Sequence, residues 1–201
     1  CDDDAEMHSW VNNRDFRLAL SLGIDRDVIN DIIFLDLAKT GWFLPPKGHP
    51  FFMDDISPST NATLDVAKAN QILDDIGLTA KDSDGLRTRL DGTGPVIVFL
   101  NYLTNYFVDS EAINELVEAD WAKNIGIKAV LHGAERSVWE NQETARGFMT
   151  GTSAPGFRQP EGGPTEPSGQ SHRFGLWVQS GGTEGVEPPA AIQRLAEITL
   201  A

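Results

Sequence analysis

The side chains best suited to hold a ligand are aromatic residues set in irregular sequence. Trp42, Phe43, Phe51 and Phe52 surround a proline-rich stretch, and Asn101, Tyr102 and Tyr106 stand just past an apolar run, Val96 to Leu100. Tyr and Trp stack on apolar surface and still offer a hydrogen bond, while Asn offers both a donor and an acceptor; this is the chemistry of reversible binding. In open α/β sheets ligands gather beyond the carboxyl ends of the strands, which makes Trp42, Asn101 and Tyr102 the expected ligand-binding residues. The competing expectation is that the same aromatics seal the domain's own core.

Catalytic patterns are missing. The chain has no Gly-x-Ser-x-Gly elbow and no His-Glu-x-x-His, and Ser180-Gly181-Gly182 reads as a loop. The acid pairs Asp54-Asp55 and Asp74-Asp75 fall on expected loop or helix surfaces, where solvation explains them better than acid/base work. The turn "DSDG" can be laid on part of a calcium loop with Asp91 at its twelfth position, but that position lacks the bidentate glutamate and the first is Ala80; a hairpin turn fits better. His8, His49, His132 and His172 lie far apart, so no metal-ligand spacing exists and no cofactor is expected. The single cysteine, Cys1, excludes an internal disulfide or a Cys-rich zinc site. A first-position cysteine before acidic residues suits a lipid-anchored protein only if a signal sequence precedes it; a cut through a longer chain is the stronger reading.

Sixteen basic against thirty acidic residues give a formal charge of -14, which repels phosphate backbones and anionic membranes. Nucleic acid is not an expected partner. No apolar run reaches the ~20 residues needed to span a bilayer.

The elements that must position these residues follow from periodicity. Phe16, Ala19, Leu20 and Ile24 share one helical face; after Asp25, a plausible N-cap, a second helix should turn Val28, Ile29, Ile32 and Ile33 inward. "GWFLPPKGHPFF" forbids a helix and reads as an ordered loop. A third helix should bury Val66, Ala69, Leu73 and Ile76 and stop at Gly77. Turns at Asp84-Gly85 and Asp91-Gly92 bracket a short strand before Val96 to Leu100. A helix with Ile113, Leu116, Val117, Trp121 and Ile125 then ends at Gly126, and "IKAVL" forms the next strand. Strand, helix, strand predicts parallel neighbours joined by a right-handed crossover. The expected organisation is an α/β lobe over 1–149, a Gly/Pro-rich loop over 150–173, and a C-terminal segment over 174–201 whose helix opens at Pro188-Pro189.

The order of motifs resembles a known family. "RDFRLALSLGIDRDVIND", "LPPKGHPFF", "LDVAKANQILDDIGL", "DSDGLRTRLDG" and "EAINELVEADWAKNIGIKAVLH" follow one another as in the extracellular solute-binding proteins of family five, the peptide, dipeptide and nickel binding components of ABC importers. The tail "LWVQSGGTEGVEPPAAIQRLAEI" is similar to the C-terminal region of longer members. The resemblance implies one lobe of a periplasmic-binding-protein-like, type II flytrap architecture, with a mixed sheet flanked by helices. It implies a protein that is not an enzyme: it captures oligopeptides or a similar small solute outside the cytoplasmic membrane and hands it to an ABC permease. The resemblance further implies a first lobe that this chain does not carry, a periplasmic or extracellular location, and a lipid anchor, if any, in the full-length protein. The family commonly supplies an acidic residue to a peptide's amino terminus, but the stretch from Arg146 to Phe174 departs from the family pattern and no position matches it. Two other readings stay open. A small α/β hydrolase would need a Ser or Asp of the 150–173 loop beside His132 or His172; a protein-interaction module would need an exposed apolar patch around Phe43 to Phe52.

Overall fold

The computed structural model describes residues 4–41, 57, 59–106, 108–144, 150–152 and 172–200. They fall in two compact units, one holding 4–41 and the described residues between 57 and 152, the other 172–200. The first carries the sheet.

It opens with three short helices, α1 (Ala5–Asn12), α2 (Arg14–Leu22) and α3 (Arg26–Phe34). Each starts where a side chain can satisfy an orphan backbone N–H: Asp4 accepts from Met7, Asn13 from Asp15 and Phe16, and Asp25 from Val28 at 3.1 Å. Phe16, Ala19 and Leu22 of α2 are buried as their spacing predicts. On α3 only part of the expected face turns inward. Ile29 and Asn30 are buried, but Val28 is 44 % and Ile32 55 % exposed. Ile29 packs into the core, and Asn30 ties the end of α3 to the segment after it: its Nδ2 donates to Asp36 and to the Ala38 carbonyl, and its Oδ1 accepts from the Ala38 amide.

Helix α4 (Val66–Asp75) is capped by Asp65, buries Ala69 and Leu73 completely, and ends before Gly77, whose φ of 99° only glycine adopts without strain. The stretch that follows forms antiparallel bridges between Lys81 and Arg87 and between Thr88 and Pro95. Asp82 Oδ1 accepts from the amides of Asp84 and Leu86, both at 2.9 Å, so this carboxylate closes its own turn, and no metal-holding acidic group is present among the described residues.

Strand β1 (Ile97–Leu103), helix α5 (Ser110–Asp120), β2 (Lys128–Ala134), α6 (Arg136–Thr144) and β3 (Thr150–Thr152) follow. A π-helical turn, Trp121–Ile125, extends α5 and stops at Gly126 with φ 69°. The strands lie in the order β2-β1-β3, with both neighbours parallel to β1. Where a mixed sheet was expected, antiparallel pairing occurs among the described residues only in the bridges before β1. Because the chain steps from β1 to β2 and then back across β1 to β3, right-handed crossovers require α5 and α6 on opposite faces. Val98, Leu100 and Ala129 join Val117, Trp121 and Ile125 in the core with α1 to α4, which makes the α5 side the principal core face. Strand β3 opens the stretch expected to be loop from 150, so the sheet runs past 149; residues 153–171 lie outside the description.

Two arginines stabilise the corner between α4 and the strand approach. Arg87 is 1 % exposed; its guanidinium donates to the carbonyls of Ile125 and Leu78, to Asn70 Oδ1 and to Asp74 at 2.6 Å. Arg89 grips both oxygens of Asp4, at 2.6 and 2.9 Å, and also Asp91. Glu6 accepts from the amides of Leu90 and Asp91 and completes the clamp.

In the second unit α7 (His172–Gln179) ends in a turn with Gly181 and Gly182 at positive φ, and α8 (Ala190–Leu200) starts directly after Pro188-Pro189, as the sequence predicts. No described helix is long and apolar enough to cross a membrane.

Candidate functional site

A parallel sheet of order 2-1-3 has its topological switch between the first and third strands, and a ligand crevice belongs outside their carboxyl ends. A cleft of about 370 Å³ lies at the carboxyl end of β1, lined by Leu103, Thr104, Asn105, Tyr106, Val108, Asp109, Ser110 and Glu111, which all come from the end of β1, the start of α5 and the chain between them. Strand β1 delivers the chain to the cleft, Asn105 turns it at φ 53°, and α5 carries it away. Asp109 caps α5 by accepting from the Ala112 amide at 3.0 Å.

The expected site residues are distributed differently from the expectation. β1 extends to Leu103, so Asn101 and Tyr102 stand inside the strand, each 5 % exposed, and neither lines the cleft. Strand alternation puts them on opposite faces: Tyr102 shares the α5 side with Val98 and Leu100, and Asn101 the other side with Phe99. Trp42 and the loop with Phe43, Phe51 and Phe52 lie outside the described residues. Tyr106 does reach the cleft, under the Arg136 guanidinium, 5.9 Å from its ring centre.

Tyr102 is held from below by the absence of a side chain. It pairs across the sheet with Gly133, and a Cβ on that glycine would come within 2.8 Å of Tyr102 Cζ and 2.9 Å of Thr104 Cγ2. Its hydroxyl pKa is pushed up first by burial, then by the negative charge of Glu111, and further by Glu115 and Asp109. The buried tyrosine thus feels the negative charge of the carboxylates at the rim of the cleft. That relation was missed because it links a strand residue to the first turn of the next helix.

Two buried polar atoms near this end of the sheet have no hydrogen-bond partner among the described residues, Asn101 Oδ1 and Ser110 Oγ. Ser110 is 4 % exposed and lines the cleft. His132 is stacked on Phe99 with ring centres 5.0 Å apart, and the 153–171 residues a hydrolase would need beside it or His172 are outside the description.

Comparison with known proteins agrees with this geometry. Residues 5–165, well over half the chain, match the family model "Bacterial extracellular solute-binding proteins, family 5 Middle". Among solved structures, the oligopeptide-binding protein OppA is 26 % identical with a TM-score of 0.75 over 98 % of this chain and 34 % of its own. NikA from Brucella suis, in complex with Fe(III)-EDTA, is 23 % identical with a TM-score of 0.63 over 92 % of this chain and 38 % of its own. MelB from Agrobacterium fabrum, in complex with stachyose, is 18 % identical with a TM-score of 0.59 over 96 % and 32 %. The last two show the fold alone. No curated protein sequence matches. The chain spans about a third of the length of these structures. With an α/β lobe of periplasmic-binding-protein type, a cleft at the carboxyl end of β1 and a family match over most of its length, the chain belongs to the bacterial extracellular solute-binding proteins of family 5.

Proposed function

We propose that the chain forms one wall of the solute site in the substrate-binding component of an ABC importer, which captures oligopeptides or a similar small solute outside the cytoplasmic membrane and delivers it to the permease. The observation that carries this reading is the cleft at the carboxyl end of β1 in a chain of this family. The range of solutes follows the relatives: one is named for oligopeptides, and the other two hold a metal chelate and an oligosaccharide. Tyr102 is buried in the strand that leads into the cleft, and Asn101 Oδ1 on the other face has no partner among the described residues. Trp42 remains a ligand-binding candidate from sequence.

In the intact protein a second lobe closes over the solute, desolvates it and couples occupancy to shape. These 201 residues provide one side only, so solute binding by the isolated chain is weak. Calorimetry with a tripeptide set, on this chain and on the full-length protein, tests it. Affinity confined to the full-length protein is the expected result; tight peptide binding by the 201 residues alone overturns the one-wall assignment, and no binding by either removes peptides as the solute.

A further inference from the structure

We infer that the groove between α3 and residues 38–41 is a second binding site, for a small carboxylate carried on an apolar body, with Arg26 gripping the carboxylate and Lys39 adding positive charge. It shares no lining residue with the cleft at the end of β1 and goes beyond the solute-wall reading.

Three arginines pack into the lobe, and they differ in one respect. A guanidinium has two donor forks, one between its Nη atoms and one between Nε and Nη2. Arg89 fills both: Asp4 takes the Nη1/Nη2 fork and Asp91 the Nε/Nη2 fork. Arg87 likewise donates through all three of its nitrogens. Arg26 fills only the first fork. Its Nη1 donates to the carbonyls of Ser21 and Ala62 at 2.8 and 3.0 Å, and its Nη2 to Ser21 Oγ at 2.9 Å; the paired bonds to Ser21 occupy the Nη1/Nη2 end. Nε and the second hydrogen of Nη2 have no acceptor among the described residues. That open fork matches the two oxygens of a carboxylate. The acceptors Arg26 does have are uncharged, and burial lowers its pKa with no neighbouring charge to offset the shift. An incoming anion would supply the missing counter-charge.

The surroundings select sign and shape. The groove has a volume of about 170 Å³; Ile29, Phe34 and Ala38 give it apolar walls, Arg26 and Lys39 are its cations, and no described carboxylate lines it. The nearby acids are turned to other uses or lie outside. Asp36 accepts from Asn30, Asp25 caps α3, and Asp25 and Asp27 border a separate hollow of about 40 Å³ on the other side of Arg26, too small for a hydrocarbon body. The walls are also fixed relative to each other. Asn30 donates to the Ala38 carbonyl at 3.2 Å and accepts from its amide at 3.1 Å, so the groove exists before a ligand arrives and little ordering cost is left to binding.

Nuclear magnetic resonance titration of the full 201-residue chain with hexanoate, hexylammonium and acetate tests it. Hexanoate should shift the amides of Arg26 to Asn30 and of Ala38 to Gly41 saturably, in the millimolar range, and move the Arg26 Nε–H signal. Hexylammonium, with the same body and the opposite charge, should not saturate; acetate, with almost no body, should bind at least about tenfold more weakly. Arg26→Lys keeps the charge and removes the fork, and should weaken hexanoate about tenfold, the size of one charge-assisted hydrogen bond. That variant also gives up bonds to Ser21 and Ala62, so Lys39→Gln is measured beside it. Lys39 is exposed, and its loss should weaken hexanoate about threefold, the size of an exposed charge pair. Equal saturable shifts from hexanoate and hexylammonium would reduce the site to an apolar groove and overturn the carboxylate assignment. It is overturned as well if hexanoate leaves Arg26 and residues 38–41 unmoved, or moves exposed arginines such as Arg14 and Arg194 just as far. None of these results touches the cleft at the end of β1.

Discussion

The Arg87–Arg89 corner and the carboxyl end of β1 are both rich in polar groups, yet they are built on opposite principles. At the corner every guanidinium face has a partner: carbonyls from three separate segments around Arg87 and three carboxylates around Arg89. At the end of β1 two buried oxygens lack partners among the described residues, and the cleft stays open. A buried polar group that is fully satisfied specifies structure; one left unsatisfied waits for something else. The contrast separates charges that hold the lobe together from those available to a solute.

The contrast is broken most severely at Arg87. Arg87→Ala strands the carbonyls of Leu78 and Ile125 in the interior and should cost about 3 kcal/mol or more in urea unfolding; a loss below ~1 kcal/mol would mean that the corner is not structural. Gly133→Ala comes next. Its methyl would collide with the Tyr102 ring and Thr104, an overpacking worth about 2 kcal/mol, and the penalty should shrink in a Tyr102→Ala background if that contact is the cause.

A smaller effect appears with pH. The hydrogen bonds from Arg89, and then that from the Met7 amide, lower the Asp4 pKa from 3.8 to about 2. A depressed carboxylate pKa stabilises the fold fully above 3.8, and that contribution is lost as pH falls through about 2. Asp4 is partly exposed, so solvent screening limits the amount to under about 1 kcal/mol. Asp4→Asn should flatten the stability profile between these limits in acid denaturation. The smallest change sharpens the other side of the comparison. Ser110→Ala removes an oxygen that bonds to nothing described, so it should be neutral or stabilising by up to about 1 kcal/mol, where a structural hydroxyl would show a loss.

Local chemistry was legible in the sequence. Asp25 caps α3, Gly77 and Gly126 end helices in conformations that suit glycine, and Pro188-Pro189 opens the last helix, because each depends on a few adjacent residues. The parallel pair of β1 and β2 was legible for the same reason. What was not legible depends on distant partners. β1 runs three residues past Leu100 because Ala134 and Thr152 supply its edges, which moved Asn101 and Tyr102 from an expected rim into the sheet. Periodicity grouped Val28 with Ile32 but could not say that the core would receive the Ile29 side of α3 and leave those two exposed. Arg87 gave no sign of burial, since the groups that accept from it come from residues 70, 74, 78 and 125.

The π turn after α5 has a kinetic consequence. Trp121 Nε1 donates to the Leu20 carbonyl at 2.9 Å and Asn124 Nδ2 to that of Gly23 at 3.0 Å, each bond spanning 101 residues. Closing such a loop costs about 2 kcal/mol more in chain entropy than closing one of ten residues. The end of α2 and the end of α5 must therefore find each other late, after the intervening segments have begun to collapse, and this meeting should set the pace at which the lobe folds.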